Sequence, residues 1–134
     1  MYKARLKDVP FFGQLSKKEL EKIAQQTDEV DVPAGKVLAR EGDIGHEFFV
    51  IEEGTAEVTK GGERIGQLGP GDFFGEIALL EEDRRTATVT ATSPMTLIVM
   101  TRASFRAIDR SMPAVHRTVH EAIAARRAPA PQSS

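Results

Sequence analysis

The chain has 134 residues, and its 18 lysines and arginines against 20 aspartates and glutamates leave a formal net charge of −2. That length supports one domain burying about two-thirds of its unfolded surface, while the near-neutral balance excludes a global field that recruits nucleic acid or an anionic membrane. With no cysteine, disulfides, thiolate metal sites and cysteine nucleophiles are excluded as well.

Met1 to Asp8 holds no apolar core of a signal sequence, and no run approaches the ~20 apolar residues of a membrane helix. A soluble, cytoplasmic protein with no nucleic-acid or membrane partner is expected. The stretch "DVPFFGQL" reads as a short helix or turn that buries Phe11 and Phe12. In the following "QLSKKELEKIAQQT", Ser16 and Glu19 form a capping box, and Leu15 and Leu20 occupy the two positions of a hydrophobic staple. Leu20, Ile23 and Ala24 then give the helix its inward face.

From Glu29 to Met100 the pattern changes to short apolar runs punctuated by most of the 11 glycines. Strands of four to six residues, about eight in all, argue for a sandwich or barrel. "VTKGGERI" is a hairpin, with Gly61 and Gly62 suited to positive φ in a two-residue turn. Glycines 35, 42, 54 and 71 read as turn residues. Thr86, Thr88 and Thr90 alternate with Ala87, Val89 and Ala91, which predicts one solvated and one buried face. After the strands, Thr101 caps a helix over "RASFRAIDR" with Phe105 and Ile108 inward. Ser111 and Pro113 open a second helix with apolar residues at 112, 115, 119 and 123.

One stretch fits no single element: "FFGEIALLEEDRRTATV", Phe73 to Val89. Phe73 and Phe74 read as core anchors. If Gly75 ends a strand and residues 76–80 form one helical turn, the bare N–H groups there suit an anion, and glycine lets a ligand approach closely. A carboxylate repels phosphate, so Glu76 makes sense only opposite a neutral hydroxyl of the same ligand. Arg85, nine residues on, offers a planar donor fork that holds phosphate bidentately. Hydroxyl and phosphate side by side describe a sugar phosphate. Taken alone, Glu76 and Arg85 would read as an exposed ion pair worth at most about 1 kcal/mol. The "EEDR" between them reads as a solvated charged turn.

"FGEIALLEEDRRTATV" closely resembles the phosphate-binding cassette of the cyclic nucleotide-binding domain family, the module shared by protein kinase A regulatory subunits, cyclic-nucleotide-gated channels and the catabolite activator protein. "PAGKVLAREGD", "EFFVIEEGTAEV" and "LGPGDFFGE" stand in family order, so the resemblance covers roughly residues 10–127. By that resemblance, Gly75 and Glu76 match the residues that meet the ribose 2′-OH, through backbone and carboxylate respectively. Arg85 matches the arginine that binds the cyclic phosphate. Ala78, Thr86 and Ala87 match positions that contact the phosphate through backbone or line its pocket, and Ile77 belongs to the same predicted site. The family usually has proline before the arginine, where this chain has Arg84.

In family members that prefer cyclic GMP, a threonine at the position of Thr86 contacts guanine, but hydroxyl residues also occur there in cyclic AMP receptors. Cyclic AMP is the expected ligand, with cyclic GMP as the alternative. The family commonly covers the base with a side chain of the C-terminal helix, for which Val119, Ile123 and Arg126 are equal candidates. The implied fold class is α+β: an eight-stranded antiparallel β-roll (jelly-roll) with N-terminal helices, a short helix in the cassette and C-terminal helices. Residues 1–127 form the domain, and 128–134 a disordered tail or linker start.

The implied function is a non-catalytic sensor, without catalytic residues, metal or cofactor, that passes a conformational change through its C-terminal helices to a protein partner or fused effector domain. The chain then serves either alone or as the regulatory fragment of a larger effector. A competing enzyme reading, a cupin-like metal-dependent jelly-roll, requires histidines clustered on strands. Only His46 precedes a strand; His116 and His120 stand four apart on a helix without a third ligand and read as a solvated face. A transcription regulator would need a helix-turn-helix after the last helix, where "APAPQSS" stands, and the arginines of "AARRA" suit the helix dipole.

Overall fold

The computed structural model describes residues 6, 7, 9, 12, 13, 15–79, 83–113, 117, 120, 121 and 124. Near the N-terminus three successive tight turns link Val9 N–H to Leu6 O, Phe12 N–H to Val9 O and Leu15 N–H to Phe12 O. They sink Leu6, Val9 and Phe12 into the core; Phe11 lies outside the described residues. Helix α1, Lys17–Ala24, starts at the predicted capping box: Glu19 N–H donates to Ser16 Oγ at 3.1 Å and Ser16 N–H to Glu19 Oε1 at 2.9 Å. Its buried face is Leu20, Ile23 and Ala24.

Two four-stranded antiparallel sheets follow. The first has the order β1 (Asp28–Val32), β10 (Met95–Thr101), β4 (Glu47–Glu53), β7 (Phe73–Phe74). The second has the order β2 (Val37–Ala39), β9 (Thr88–Ala91), β5 (Ala56–Lys60), β6 (Glu63–Leu68). These are the expected eight strands of the roll. A separate ladder of two short strands, β3 (Ile44–Gly45) and β8 (Asp83–Arg84), has no counterpart in the sequence reading. Two residues per strand are too few to show a period. The β5–β6 hairpin turns through Gly61 and Gly62 at φ +60° and +83°, as the paired glycines require.

Side-chain alternation along β4 divides the core. Phe48 and Val50 join α1, β10 and the last described helix in one cluster, whereas Phe49 and Ile51 join the cluster between the sheets. The aromatic pairs follow the same division: Phe48 meets Phe12 and Phe73 edge-on, with centroids 6.3 and 6.0 Å apart, while Phe49 stacks on Phe74 at 4.7 Å. In β9, Val89 and Ala91 are buried and Thr88 and Thr90 half-exposed, as their alternation predicts.

Helix α2, Arg102–Ser111, is capped by Thr101, whose hydroxyl accepts from Ser104 N–H at 3.1 Å. Phe105 and Ile108 are buried against the helix-side cluster. Ser111 closes this helix instead of opening the next one, because Met112 N–H returns to Ile108 O at 2.7 Å and Met112 leaves helical geometry. Helical backbone resumes at Pro113, which has no N–H to lose there, and recurs at residues 117, 120, 121 and 124. Positions 115, 119 and 123 of the predicted apolar stripe, and 128–134, lie outside the described residues. No helix among the described residues is long and apolar enough to cross a membrane.

Candidate functional site

Arg85 follows β8, and backbone bonds fix it on both sides. Its N–H donates to Asp43 O at 2.7 Å, and its carbonyl accepts from Gly42 N–H at 2.9 Å. The β3–β8 ladder and a bond from Arg84 Nη1 to Gly42 O, 2.7 Å long, tie the preceding residue to the same turn. Arg84, at the position where the resemblance leads one to expect proline, is itself exposed.

The side chain of Arg85 is equally constrained. Nη2 donates to the carbonyl of Glu47 at 2.8 Å, and the guanidinium carbon stands 6.0 Å from the centroid of the Phe49 ring. Two glycines leave room for the plane: a Cβ on Gly45 would lie 2.4 Å from Arg85 Cζ, and one on Gly75 would lie 2.6 Å from Nη1. Burial pushes the guanidinium below its ordinary value, and the nearby carboxylates of Glu47 and Glu76 push it back up. Arginine starts so high that the group stays cationic at neutral pH. Among the described residues only Glu47 O accepts from this side chain, so donors of the fork remain for a ligand.

Gly75 joins β7 to a short 3-10 helix, Glu76–Leu79, with φ +85°. Positive φ lets the chain turn there, and Ala78 N–H closes the turn on Gly75 O at 3.1 Å. Ala78 and Leu79 are buried, while Glu76 and Ile77 are half-buried. The predicted turn is therefore present, in the tighter 3-10 form, and Leu80 lies outside the described residues.

Between the turn and the β8–β9 bend lies a cavity of about 320 Å³. Its walls include residues 75–78 and 84–87, and its apolar floor is Ala39, Val58, Leu68 and Val89, one from each strand of the second sheet. All seven residues that the sequence reading assigned to one site, Gly75, Glu76, Ile77, Ala78, Arg85, Thr86 and Ala87, meet at this cavity. The base-lid candidates Val119, Ile123 and Arg126 lie outside the described residues. A fixed cation, a carboxylate near it and an apolar floor suit a ligand that combines an anion, a hydroxyl and a ring. The volume falls at the lower end of small-molecule pockets, about 300 to 1,000 Å³.

Sequence reasoning missed several contributors, among them the floor residues Ala39, Val58, Leu68 and Val89. Phe74, read as a core anchor, also lines the cavity. Gly45 is needed as empty space for Arg85, and because its strand is only two residues long no pattern in the sequence marked it. Glu47 acts on Arg85 through its carbonyl, which every residue type possesses, so nothing in the sequence marks it.

The matches to known proteins bear on the same segments. The family model for the cyclic nucleotide-binding domain matches residues 29–111. The cAMP-dependent protein kinase regulatory subunit of Schizosaccharomyces pombe is 40% identical over 106 residues, which make up 78% of this chain and 26% of that protein. The chain thus spans about a quarter of the length of that relative. Among solved structures, the N-terminal domain of a transcriptional regulator from Streptomyces coelicolor A3(2) superposes with a TM-score of 0.85 at 25% identity, covering 91% of both chains. A cAMP-bound structure of PfPKA-R, residues 141–441, gives a TM-score of 0.72 at 26% identity over 90% of this chain and 46% of that one. The stretch matched by the family model takes in every strand from β2 to β10 and all of α2, and with them the whole described wall of the cavity; the chain belongs to the cyclic nucleotide-binding domain family.

Proposed function

We propose that this chain is a non-catalytic sensor that binds cyclic AMP in preference to cyclic GMP and reports occupancy through its C-terminal helices. The observation that carries this reading is the guanidinium of Arg85, pre-positioned at the cavity with donors to spare. In this reading it takes the cyclic phosphate, aided by the backbone of Ala78, Thr86 and Ala87. Gly75 and Glu76 take the ribose hydroxyl through backbone and carboxylate, Ile77 backs the turn against the core, and the purine lies over the apolar floor. The cAMP-bound state of a structural relative supports cyclic AMP. Thr86, exposed at the cavity wall, keeps cyclic GMP as the second reading.

Occupancy draws the 3-10 turn inward, Phe105 and Ile108 follow, and a side chain beyond α2 closes on the base, with Val119, Ile123 and Arg126 as candidates. Only a difference in affinity between open and closed states drives such a shift. The output is a protein partner or a fused effector domain, in keeping with the chain's small share of its relative's length. Calorimetric titration with both nucleotides tests the proposal: cyclic AMP binding more tightly than cyclic GMP is expected. No heat from either at millimolar ligand overturns the function, and tighter cyclic GMP binding overturns the preference.

A further inference from the structure

We propose that Arg102 is the positioning residue through which the cavity wall controls α2, an inference that rests on the nucleotide reading above. Its Nε donates to the carbonyl of Ala78 at 2.8 Å. Ala78 is buried in the 3-10 turn and also lines the cavity. Arg102 is the first residue of α2, and its own N–H points to His46 O at 3.4 Å, between the Gly45 and Glu47 that hold Arg85. One residue therefore joins the wall of the cavity, the strand beside the phosphate arginine and the start of the helix.

Two further observations separate this arginine from an ordinary helix residue. A cation in the first turn opposes the helix dipole, and no acidic residue in that turn compensates for it, so Arg102 does not stand there for the sake of the helix. Its Nη2 is buried with no acceptor among the described residues. Desolvating a guanidinium is unfavourable unless its donors are satisfied. The side chain is satisfied at Nε and unsatisfied at Nη2, which marks an arrangement that a second acceptor improves. The last carbonyls of a helical turn have no partner within the turn. A shift of the 3-10 turn brings such acceptors past the fork, and the unsatisfied donor gives the shift a defined end point.

Directionality sets this contact apart from the apolar packing of α2. The apolar contacts of Phe105 and Ile108 are non-directional, whereas a hydrogen bond to Ala78 O fixes direction and distance, so displacement of the turn carries the first residue of α2 with it.

The test compares wild type with Arg102→Met, which fills similar volume without a donor, and Arg102→Lys, which keeps the charge and a donor for Ala78 O. Cyclic AMP binding is measured by calorimetry, and amide hydrogen exchange of residues 102–111 is followed with and without the nucleotide. The ligand-dependent change in exchange is expected to be about five-fold or more in wild type, to disappear in Arg102→Met and to persist in Arg102→Lys. An undiminished change in Arg102→Met, or its loss in a folded Arg102→Lys, overturns the role of the bond. If Arg102→Met fails to fold, the Lys variant alone decides. A wild-type chain that binds the nucleotide without any change over 102–111 overturns this inference and leaves the nucleotide reading standing; one that gives no heat at all removes both.

Discussion

Arg85 is held in place without a ligand: two backbone bonds fix its main chain, the Glu47 carbonyl fixes one end of its fork, and two glycines clear the plane around it. The ordering entropy of a long side chain is therefore met on folding instead of on binding. A charge-assisted hydrogen bond contributes about 1.5–3 kcal/mol, so Arg85→Ala is expected to weaken cyclic AMP binding by roughly 10- to 100-fold. Arg84→Ala, which removes one exposed bond to Gly42 O, is expected to weaken it by less than about five-fold, and calorimetry on both variants checks the contrast. Equal effects would mean that the wrong arginine has been assigned to the phosphate. Gly45→Ala separates space from charge. Gly45 has no positive φ to violate, but the new methyl group meets the guanidinium, so about ten-fold weaker binding with little change in thermal stability is expected. Unchanged affinity would show that Arg85 has room elsewhere.

At the scale of elements, α2 is held by its Thr101 cap and its apolar face in addition to the bonds of Arg102. Thr101→Ala leaves the Ser104 N–H without its acceptor and is expected to cost about 1 kcal/mol, read as a lower midpoint in urea with an unchanged slope. Phe105→Ala opens a cavity in the helix-side cluster, and about 3–5 kcal/mol of lost stability is expected by the same measurement. The features legible in the sequence are those decided within a few residues: the Ser16–Glu19 box, the Gly61–Gly62 hairpin, the Thr101 cap and the cassette turn. Those that escaped are long-range. The β3–β8 ladder is too short for a period, Glu47 reaches Arg85 across 38 residues, and Arg84 reaches Gly42 across 42. No local pattern announces such pairs, because each residue's own surroundings in the sequence are ordinary. The seven residues of the cassette meet at one cavity, whereas Gly45 comes to Arg85 from a distant part of the chain.

For the whole molecule, a ligand that binds only the folded state must stabilise it by mass action. On the proposed function, cyclic AMP at a hundred times its dissociation constant is expected to contribute about 2.7 kcal/mol, which for a chain of this size raises the melting temperature by roughly 5–10 °C. The same ligand concentration is expected to shift Arg85→Ala far less, and equal shifts in scanning calorimetry would place the stabilisation outside the cavity. Two clusters share this fold, and β4 belongs to both: Phe49 and Ile51 look into the sandwich that floors the cavity, Phe48 and Val50 toward the helices. Neighbouring residues on one strand thus pack into different cores. A substitution at Phe48 or Val50 is therefore felt first by the helices, and one at Phe49 or Ile51 first by the floor of the cavity, so a single strand carries two separable sets of packing constraints.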